Sequence, residues 1–167
     1  MTQNMDFPYR NEGWERDIYP MPSFPMLTVV DLDRSSRWYQ DTLGFADVFT
    51  MRAQNGAPLL VHLRWCKFAD VLMTASRAPQ ENPKPPRGVG ITLNFAAFEV
   101  DQMAERVRAA GARILEGPVD RPWNARDLTV LDPDGYRLNF TAPLRPERVG
   151  VPTFDDVIAK VRKGFPT

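Results

Sequence analysis

The chain has 167 residues, 43% of them hydrophobic, and its 21 Lys and Arg residues balance 21 Asp and Glu residues. This length is typical of one compact domain with a hydrophobic core, and zero net charge without a basic run argues against nucleic acid or an anionic membrane as a partner. A single cysteine, Cys66, excludes an internal disulfide framework, and the lack of a signal pattern or an apolar run of about 20 residues predicts a cytoplasmic protein.

The first half of the chain predicts an arm followed by a strand, a helix and three strands. Residues 1–24 contain several prolines and little periodicity, which predicts an irregular arm. An apolar strand at 26–30 precedes a helix in DRSSRWYQDTLG, which an Asp can cap and Gly44 ends. Strands follow in FADVFTMRA, LLVHLRWCK and ADVLMTAS. The proline-rich segment 77–88 predicts a linker.

The second half repeats this order. A strand in GVGITLNFAAFEV, a helix in VDQMAERVRAAGA that ends at Gly111, a strand in ARILEGPV and a hairpin in RDLTVLDPDGYRLNF follow one another. We interpret this as an internal duplication: an α+β domain over 25–143 built from βαβββ units at 25–76 and 89–143. Residues 144–167 form an extension, in which TFDDVIAKVRKG has the apolar spacing of an amphipathic helix.

Two tandem βαβββ units, with an Asp-led helix after the first strand and D-P-D-G before the last, resemble the vicinal oxygen chelate superfamily of glyoxalases, extradiol dioxygenases and bleomycin-resistance proteins. The most specific segments are LTVVDLDRSSRWYQDTLGF, FEVDQMAERVRAAGA and RPWNARDLTVLDPDGYRLNF. Pro25 and the pattern of Pro122, Trp123 and Arg126 are similar to the antibiotic-binding, bleomycin-resistance type. The resemblance implies that each unit forms a half-open barrel whose cup binds a ligand, and that two chains pair to complete each cup.

The resemblance also bears on metal binding. The family's enzymes usually hold a divalent metal ion with a His near the start of each unit and a Glu near its end. At these positions the resemblance places side chains without a charge: Phe24 or Met26, then Thr92, Asn94 or Phe95, and finally Asn139. One neutral amide does not hold a transition metal against water, so we expect a cup with no metal and no cofactor. Asn139 is then either a polar group at the base of the cup or an amide bonded to a neighbouring strand.

Aromatic and arginine side chains are the candidate ligand contacts. Flat ligands stack against rings on or beside strands, and five rings fit this description: Phe49, Trp65, Phe95, Trp123 and Phe140. Core packing is the competing interpretation for four of them, whereas Trp123 lies in a loop outside the core pattern. Arg52 and Arg126 are candidates to bind a ligand carbonyl or phenolate, with a solvated surface position as the alternative.

His62, the only histidine, is a candidate general base, but no Ser, Cys or Asp lies at motif spacing from it. An exposed or hydrogen-bonded structural histidine is therefore favoured. We expect a homodimeric, metal-free binding protein that sequesters a hydrophobic or aromatic antibiotic or natural product, and not an enzyme. The alternative is a cofactorless isomerase, cyclase or lyase of natural-product tailoring, with His62, Asp or Tyr side chains as acid and base.

Overall fold

The computed structural model describes residues 13, 15, 19, 21, 23–76 and 87–144. The predicted arm, linker and C-terminal extension fall mainly or wholly outside these residues, and the predicted domain limits stay predictions. The chain divides into two compact units: Met1–Ile91 with Asp132–Tyr136, and Thr92–Leu131 with Arg137–Thr167. Over the described ranges, no helix has the length and apolar character needed to cross a membrane.

The first unit is an open mixed sheet with a helical segment on one face. Its sheet has the order β1-β4-β3-β2, with strands β1 (Met26–Val29), β2 (Ala46–Arg52), β3 (Pro58–Cys66) and β4 (Ala69–Ala75). β1 and β4 are parallel, whereas the other two pairs are antiparallel. Helix α1 (Leu32–Trp38) continues into a π-helical turn (Tyr39–Leu43) and packs against β3 and β4.

Local sequence explains where this helical segment begins and ends. The side chain of Asp31 accepts a hydrogen bond of 2.9 Å from the backbone N–H of Arg34, which caps α1. The segment stops at Gly44, whose φ of 87° lies in the left-handed region that glycine adopts without a steric penalty. The predicted acidic cap and glycine stop are both confirmed.

The second unit repeats the architecture of the first. Helix α2 (Val100–Ala109) packs against a sheet of order β5-β8-β7-β6, whose strands are β5 (Thr92–Ala96), β6 (Arg113–Arg121), β7 (Ala125–Leu131) and β8 (Arg137–Pro143). β5 and β8 are parallel and the rest antiparallel. Both units therefore have the order βαβββ, which confirms the predicted α+β fold of two tandem units. Each described sheet is open and does not close into a barrel.

The core of the second unit lies between its sheet and α2. Leu128 and Val130 of β7, with Leu138 and Phe140 of β8, are completely buried. The intervening residues of these strands, including Asp127, Thr129 and Asn139, must point to the opposite face because side chains alternate along a strand. This alternation positions the candidate site described below.

The D-P-D-G segment forms a turn and also places two buried carboxylates, Asp132 and Asp134, inside the first unit. Asp132 Oδ1 accepts hydrogen bonds from the backbone N–H groups of Asp134 (2.9 Å) and Tyr136 (2.7 Å), and its Oδ2 accepts one of 2.9 Å from the hydroxyl of Tyr39. Burial raises the pKa of Asp132 from 3.8 to about 6. The hydroxyl of Tyr39 is itself buried, and this burial raises its pKa well above 10.

Asp134 ties the same segment to the start of α1. Its Oδ1 accepts a hydrogen bond of 2.7 Å from the backbone N–H of Val30, and its Oδ2 accepts one of 2.6 Å from the hydroxyl of Ser35. The side chains of Asp134 and Ser35 are both buried. The D-P-D-G segment therefore holds the residues on either side of Asp31, at the first strand–helix turn. In the sequence these two segments were separate signals.

Candidate functional site

A concavity of about 550 Å³ lies on the sheet face of the second unit that points away from α2. Pockets that hold drug-sized ligands have volumes of roughly 300–1,000 Å³. The face is polar: Thr92, Thr129 and Asn139 supply hydroxyl and amide groups, whereas Leu115 is an apolar contribution. The concavity is therefore large enough for a small molecule and suited to one with hydrogen-bonding groups.

Asn139 lies at the centre of this face, in a hydrogen-bonded trio with Thr129 and Asn94. Its Oδ1 accepts a bond of 3.0 Å from the hydroxyl of Thr129, and its Nδ2 donates one of 3.1 Å to Asn94 Oδ1. The register places Asn139 directly opposite both partners on β7 and β5. Asn139 thus bonds to neighbouring strands and also lines the concavity. Whether it contacts a ligand stays a prediction.

A charged cluster borders the trio. The guanidinium of Arg121 donates to both carboxylate oxygens of Glu116, at 3.0 and 2.6 Å, and its Nε donates to Asp127 Oδ2 at 2.9 Å. These hydrogen bonds lower the pKa of Glu116 and raise that of Arg121. Asp127 Oδ1 is buried and has no hydrogen-bond partner among the described residues. Arg137 also lines the concavity.

Sequence reasoning missed this charged cluster. The signal was present in β7, where the alternation of RDLTVL puts Asp127 and Thr129 on one face and Leu128 and Val130 on the other. The contacts of Arg121 were not readable, because they depend on the register of β6, which contains irregularities around Glu116.

Trp123 is an exposed ring next to this cluster. It lies in the turn between β6 and β7, its side chain is 66% exposed, and the guanidinium of Arg121 lies 5.7 Å from its ring centroid. Asn124, which follows it, has a φ of 62° and closes the turn with a backbone hydrogen bond to Arg121. Trp123 is therefore a candidate to stack on a ligand, because its exposed ring lies beside Arg121, which lines the concavity.

Three other predicted ligand contacts lie in the hydrophobic cores instead. Phe140 is completely buried and stacks on Phe95 with a centroid distance of 5.5 Å. Trp65 is buried in the first unit, 5.4 Å from the ring of Phe45. Strand alternation turns Phe140 away from the face that carries Asn139. The structure does not bring these rings to the concavity.

The two predicted arginine contacts already have protein partners. Arg126 shares the α2 side of β7 with Leu128, and it pairs with Asp101 at 2.7 Å and with Asp120 at 2.5 Å. Its hydrogen bonds lower the pKa of Asp101. Arg52, in the first unit, donates to the carbonyl oxygen of Gly56 at 3.0 Å. Neither guanidinium lines the concavity.

Phe49 belongs to a separate surface, the exposed face of the first sheet. The register aligns Phe49, His62, Leu72 and Met26 across all four strands. Phe49 is 57% exposed and Met26 is 55% exposed. This face therefore carries exposed apolar side chains on its two edge strands, with His62 between them.

His62 has an acidic partner that the sequence did not reveal. Its Nε2 lies 2.6 Å from Asp70 Oδ1, which also accepts a hydrogen bond of 2.7 Å from Nε of the buried Arg64. The hydroxyl of Tyr19 donates to the other oxygen of Asp70, and burial raises the pKa of Tyr19 to about 12. Asp70 faces Arg64 across the β3–β4 hairpin, so the contact follows from strand register and not from a sequence motif.

The donor atoms at the family's metal-ligand positions do not fit a divalent transition metal. At these positions the resemblance places Phe24 or Met26, then Thr92, Asn94 or Phe95, and finally Asn139, and the amides of Asn94 and Asn139 bond to each other. Such metals take imidazole, thiolate and carboxylate ligands. Within the described ranges, no group of three or more His, Cys, Asp and Glu side chains is placed to hold a metal ion.

Comparison with known proteins places the fold. The chain is 28% identical over 120 residues to an uncharacterised protein of Mycolicibacterium smegmatis, a match covering 72% of this chain and 91% of that protein. TioX from Micromonospora sp. ML1 aligns at a TM-score of 0.59 and 24% identity, covering 74% of this chain and 96% of TioX. TnmS3, described as an antibiotic binding protein from Streptomyces sp. CB03234, aligns at 0.55 and 22%, covering 75% and 97%.

At these identities the solved structures show the fold alone. The family model for the Glyoxalase/Bleomycin resistance protein/Dioxygenase superfamily matches residues 23–140, which is most of the chain and spans both βαβββ units. The chain therefore belongs to the Glyoxalase/Bleomycin resistance protein/Dioxygenase superfamily.

Proposed function

We propose that the protein binds an aromatic antibiotic or natural product non-covalently, without a metal ion, at the concavity of the second unit. The observation that carries this proposal is the neutral trio of Asn94, Asn139 and Thr129. It places hydrogen-bonding groups on a ligand-sized concave face, and two of its members, Asn94 and Asn139, stand at positions where the resemblance implies metal ligands in the family's enzymes. The similarity in fold to TnmS3, which is described as an antibiotic binding protein, also supports binding of an antibiotic.

The polar lining refines the kind of ligand that we expect. A purely hydrophobic molecule would desolvate these amide and hydroxyl groups without replacing their hydrogen bonds to water, which costs free energy. An aromatic ligand with carbonyl, hydroxyl or amine groups would satisfy them while its ring stacks on Trp123. Such stacking contributes about 0.5–1.5 kcal/mol beyond burial of the ring.

The proposal includes a homodimer. The exposed face of the first sheet carries large apolar side chains, among them Met26, Phe49 and Met51. Several large apolar side chains exposed on one sheet face typically mark a contact with another molecule. A second copy of the chain is the occupant that we propose, because isologous pairing is the commonest way in which a soluble chain covers such a face.

The test is a titration of purified protein with a panel of polycyclic aromatic compounds, followed by tryptophan fluorescence. A binding compound should quench the emission in wild type and less so in Trp123→Ala, which separates Trp123 from the three other tryptophans. The compound recovered from the protein should have unchanged mass and isomeric form. Recovery of an altered compound, or the absence of binding across the panel, would contradict the proposal.

A second candidate, a cofactorless enzyme, is favoured by the pairing of His62 with Asp70. A carboxylate that fixes one ring nitrogen leaves the other free to transfer a proton. Because Asp70 also accepts hydrogen bonds from Arg64 and Tyr19, a structural role explains the pair equally, and we rank binding first. In the enzyme case, His62→Gln should lower turnover of a panel compound by roughly two to four orders of magnitude.

A further inference from the structure

The charges that line the concavity of the second unit are unevenly distributed. At one end, Glu116 and Asp127 share the single guanidinium of Arg121, which leaves one surplus negative charge. At the other end, the guanidinium of Arg137 has no ion-pair or hydrogen-bond partner in the part of the chain that the structure describes. The neutral trio of Asn94, Asn139 and Thr129 lies between the two ends.

Strand register gives the separation of the two ends. Arg137 is opposite Leu131 on β7, and Asp127 lies four residues before Leu131 on that strand. A rise of about 3.3 Å per residue puts the two positions about 13 Å apart along the sheet. A small molecule that contacts both ends must therefore be elongated.

Asp127 is the unusual member of the negative end. Its side chain is only 8% exposed, and one carboxylate oxygen is bonded to Arg121 while Oδ1 is left without a partner among the described residues. All three guanidinium nitrogens of Arg121 are already bonded to Glu116 and Asp127. Buried carboxylate oxygens in native proteins are nearly always paired, and the exceptions call for an explanation.

We infer that the ligand is dipolar, with a protonated amine or similar N–H donor bound at Asp127 and Glu116, and a carboxylate or other anionic oxygen bound at Arg137. This inference rests on the proposed function and adds the chemical class of the ligand. Oδ1 is enclosed in the free protein, so the carboxylate of Asp127 turns about χ2, a broad torsion, and exchanges its bond to Nε of Arg121 for one to the ligand donor. The exposed Glu116 carboxylate provides the first contact for the incoming amine.

A rigid probe of matching length tests this inference. 4′-(Aminomethyl)biphenyl-4-carboxylate carries an ammonium group and a carboxylate at opposite ends of a flat aromatic body. Biphenyl-4-carboxylate lacks the amine, and 4-(aminomethyl)biphenyl lacks the carboxylate. By titration calorimetry, wild type should bind the dipolar probe at least about tenfold more tightly than either single-charge probe, because each end adds a hydrogen bond to a charged group.

Two variants assign the ends. Asp127→Asn should remove most of the advantage of the dipolar probe over biphenyl-4-carboxylate, since an amide still accepts from Arg121 but lacks the charge. Arg137→Gln should remove most of its advantage over 4-(aminomethyl)biphenyl. Glu105→Gln, which changes an exposed carboxylate on α2, should change neither ratio. The comparison of probes in wild type stands even if Asp127→Asn does not fold.

The outcomes separate this inference from the function on which it rests. Equal affinity of wild type for the dipolar probe and biphenyl-4-carboxylate would overturn the dipolar assignment and leave aromatic binding intact. If none of the three probes binds while another compound of the aromatic panel does, the dipolar assignment is also overturned and aromatic binding is left intact. Failure of every compound to bind would overturn the proposed function together with this inference.

Discussion

The buried carboxyl of Asp132 should make the stability of the protein depend on pH in a predictable direction. Burial raises its pKa from 3.8 to about 6 in the folded chain. The folded state therefore keeps the proton of Asp132 to a higher pH than the unfolded state does. Its contribution to stability is fully present below pH 3.8 and is lost as the pH rises through about 6.

The size of the effect follows from the shift. A rise of about two pKa units corresponds to about 3 kcal/mol, at about 1.4 kcal/mol per unit. Asp132→Asn keeps the size of the side chain, and its amide can bond to Tyr39 and to the backbone N–H groups of Asp134 and Tyr136, but it does not titrate. The free energy of unfolding of wild type minus that of Asp132→Asn should fall by about 2.4 kcal/mol between pH 4 and pH 7, because the carboxyl of the unfolded chain is already largely ionised at pH 4.

Urea unfolding of both proteins at unit steps of pH measures this difference. Asp101→Asn is a control whose stability difference from wild type should change with pH in the opposite direction. Arg126 lowers the pKa of Asp101, and the contribution of Asp101 to stability is therefore lost as the pH falls. The reasoning about Asp132 is refuted if the difference between wild type and Asp132→Asn is constant or rises with pH. That result would mean that the three hydrogen-bond donors around Asp132 stabilise its charge more than burial destabilises it.

Four further predictions concern the site and the assembly. Trp123→Ala should weaken binding of an aromatic ligand tenfold to hundredfold, about 1–3 kcal/mol. Its free energy of unfolding in denaturant should stay within about 0.5 kcal/mol of the wild-type value, because the ring is largely exposed. Unchanged affinity would refute the stacking role. Gly117→Ala should destabilise the fold by about 2–4 kcal/mol, because a Cβ at its φ of +92° would lie 2.3 Å from the carbonyl oxygen of Asp127; an unfolding midpoint equal to that of wild type would count against this close approach. EDTA treatment should leave ligand affinity unchanged, and elemental analysis showing near one Zn, Fe, Mn or Ni per chain would refute the metal-free proposal. Light scattering should give twice the chain mass, and a mass of 19.0 kDa at micromolar concentration would contradict the homodimer.

The fold was predictable because its signals are local and repeated. A glycine stop and alternating strands recur in both halves, the first helix also has an acidic cap, and each signal has a direct physical reason to form the observed element. Gly44, for example, ends the first helical segment in the left-handed conformation that its residue type favours.

The site was only partly predictable, because it depends on which strand faces which. Asn139 and Phe140 were both expected to contact a ligand, although they are consecutive residues of β8. Alternation puts them on opposite faces, and the structure places Phe140 in the core. The partners of His62 and Asp127 required the register of neighbouring strands, which long-range pairing determines.

The central claim is that a small molecule binds non-covalently at the polar face of the second unit. It is tested most directly by ¹⁵N–¹H NMR spectra of the full chain during titration with a binding compound of the aromatic panel. We predict that the side-chain amide signals of Asn94 and Asn139 and the backbone signals of Asp127 and Thr129 shift to saturation with the added compound. Saturable shifts confined to residues around His62 and Phe49, with those four residues unchanged, would contradict the claim.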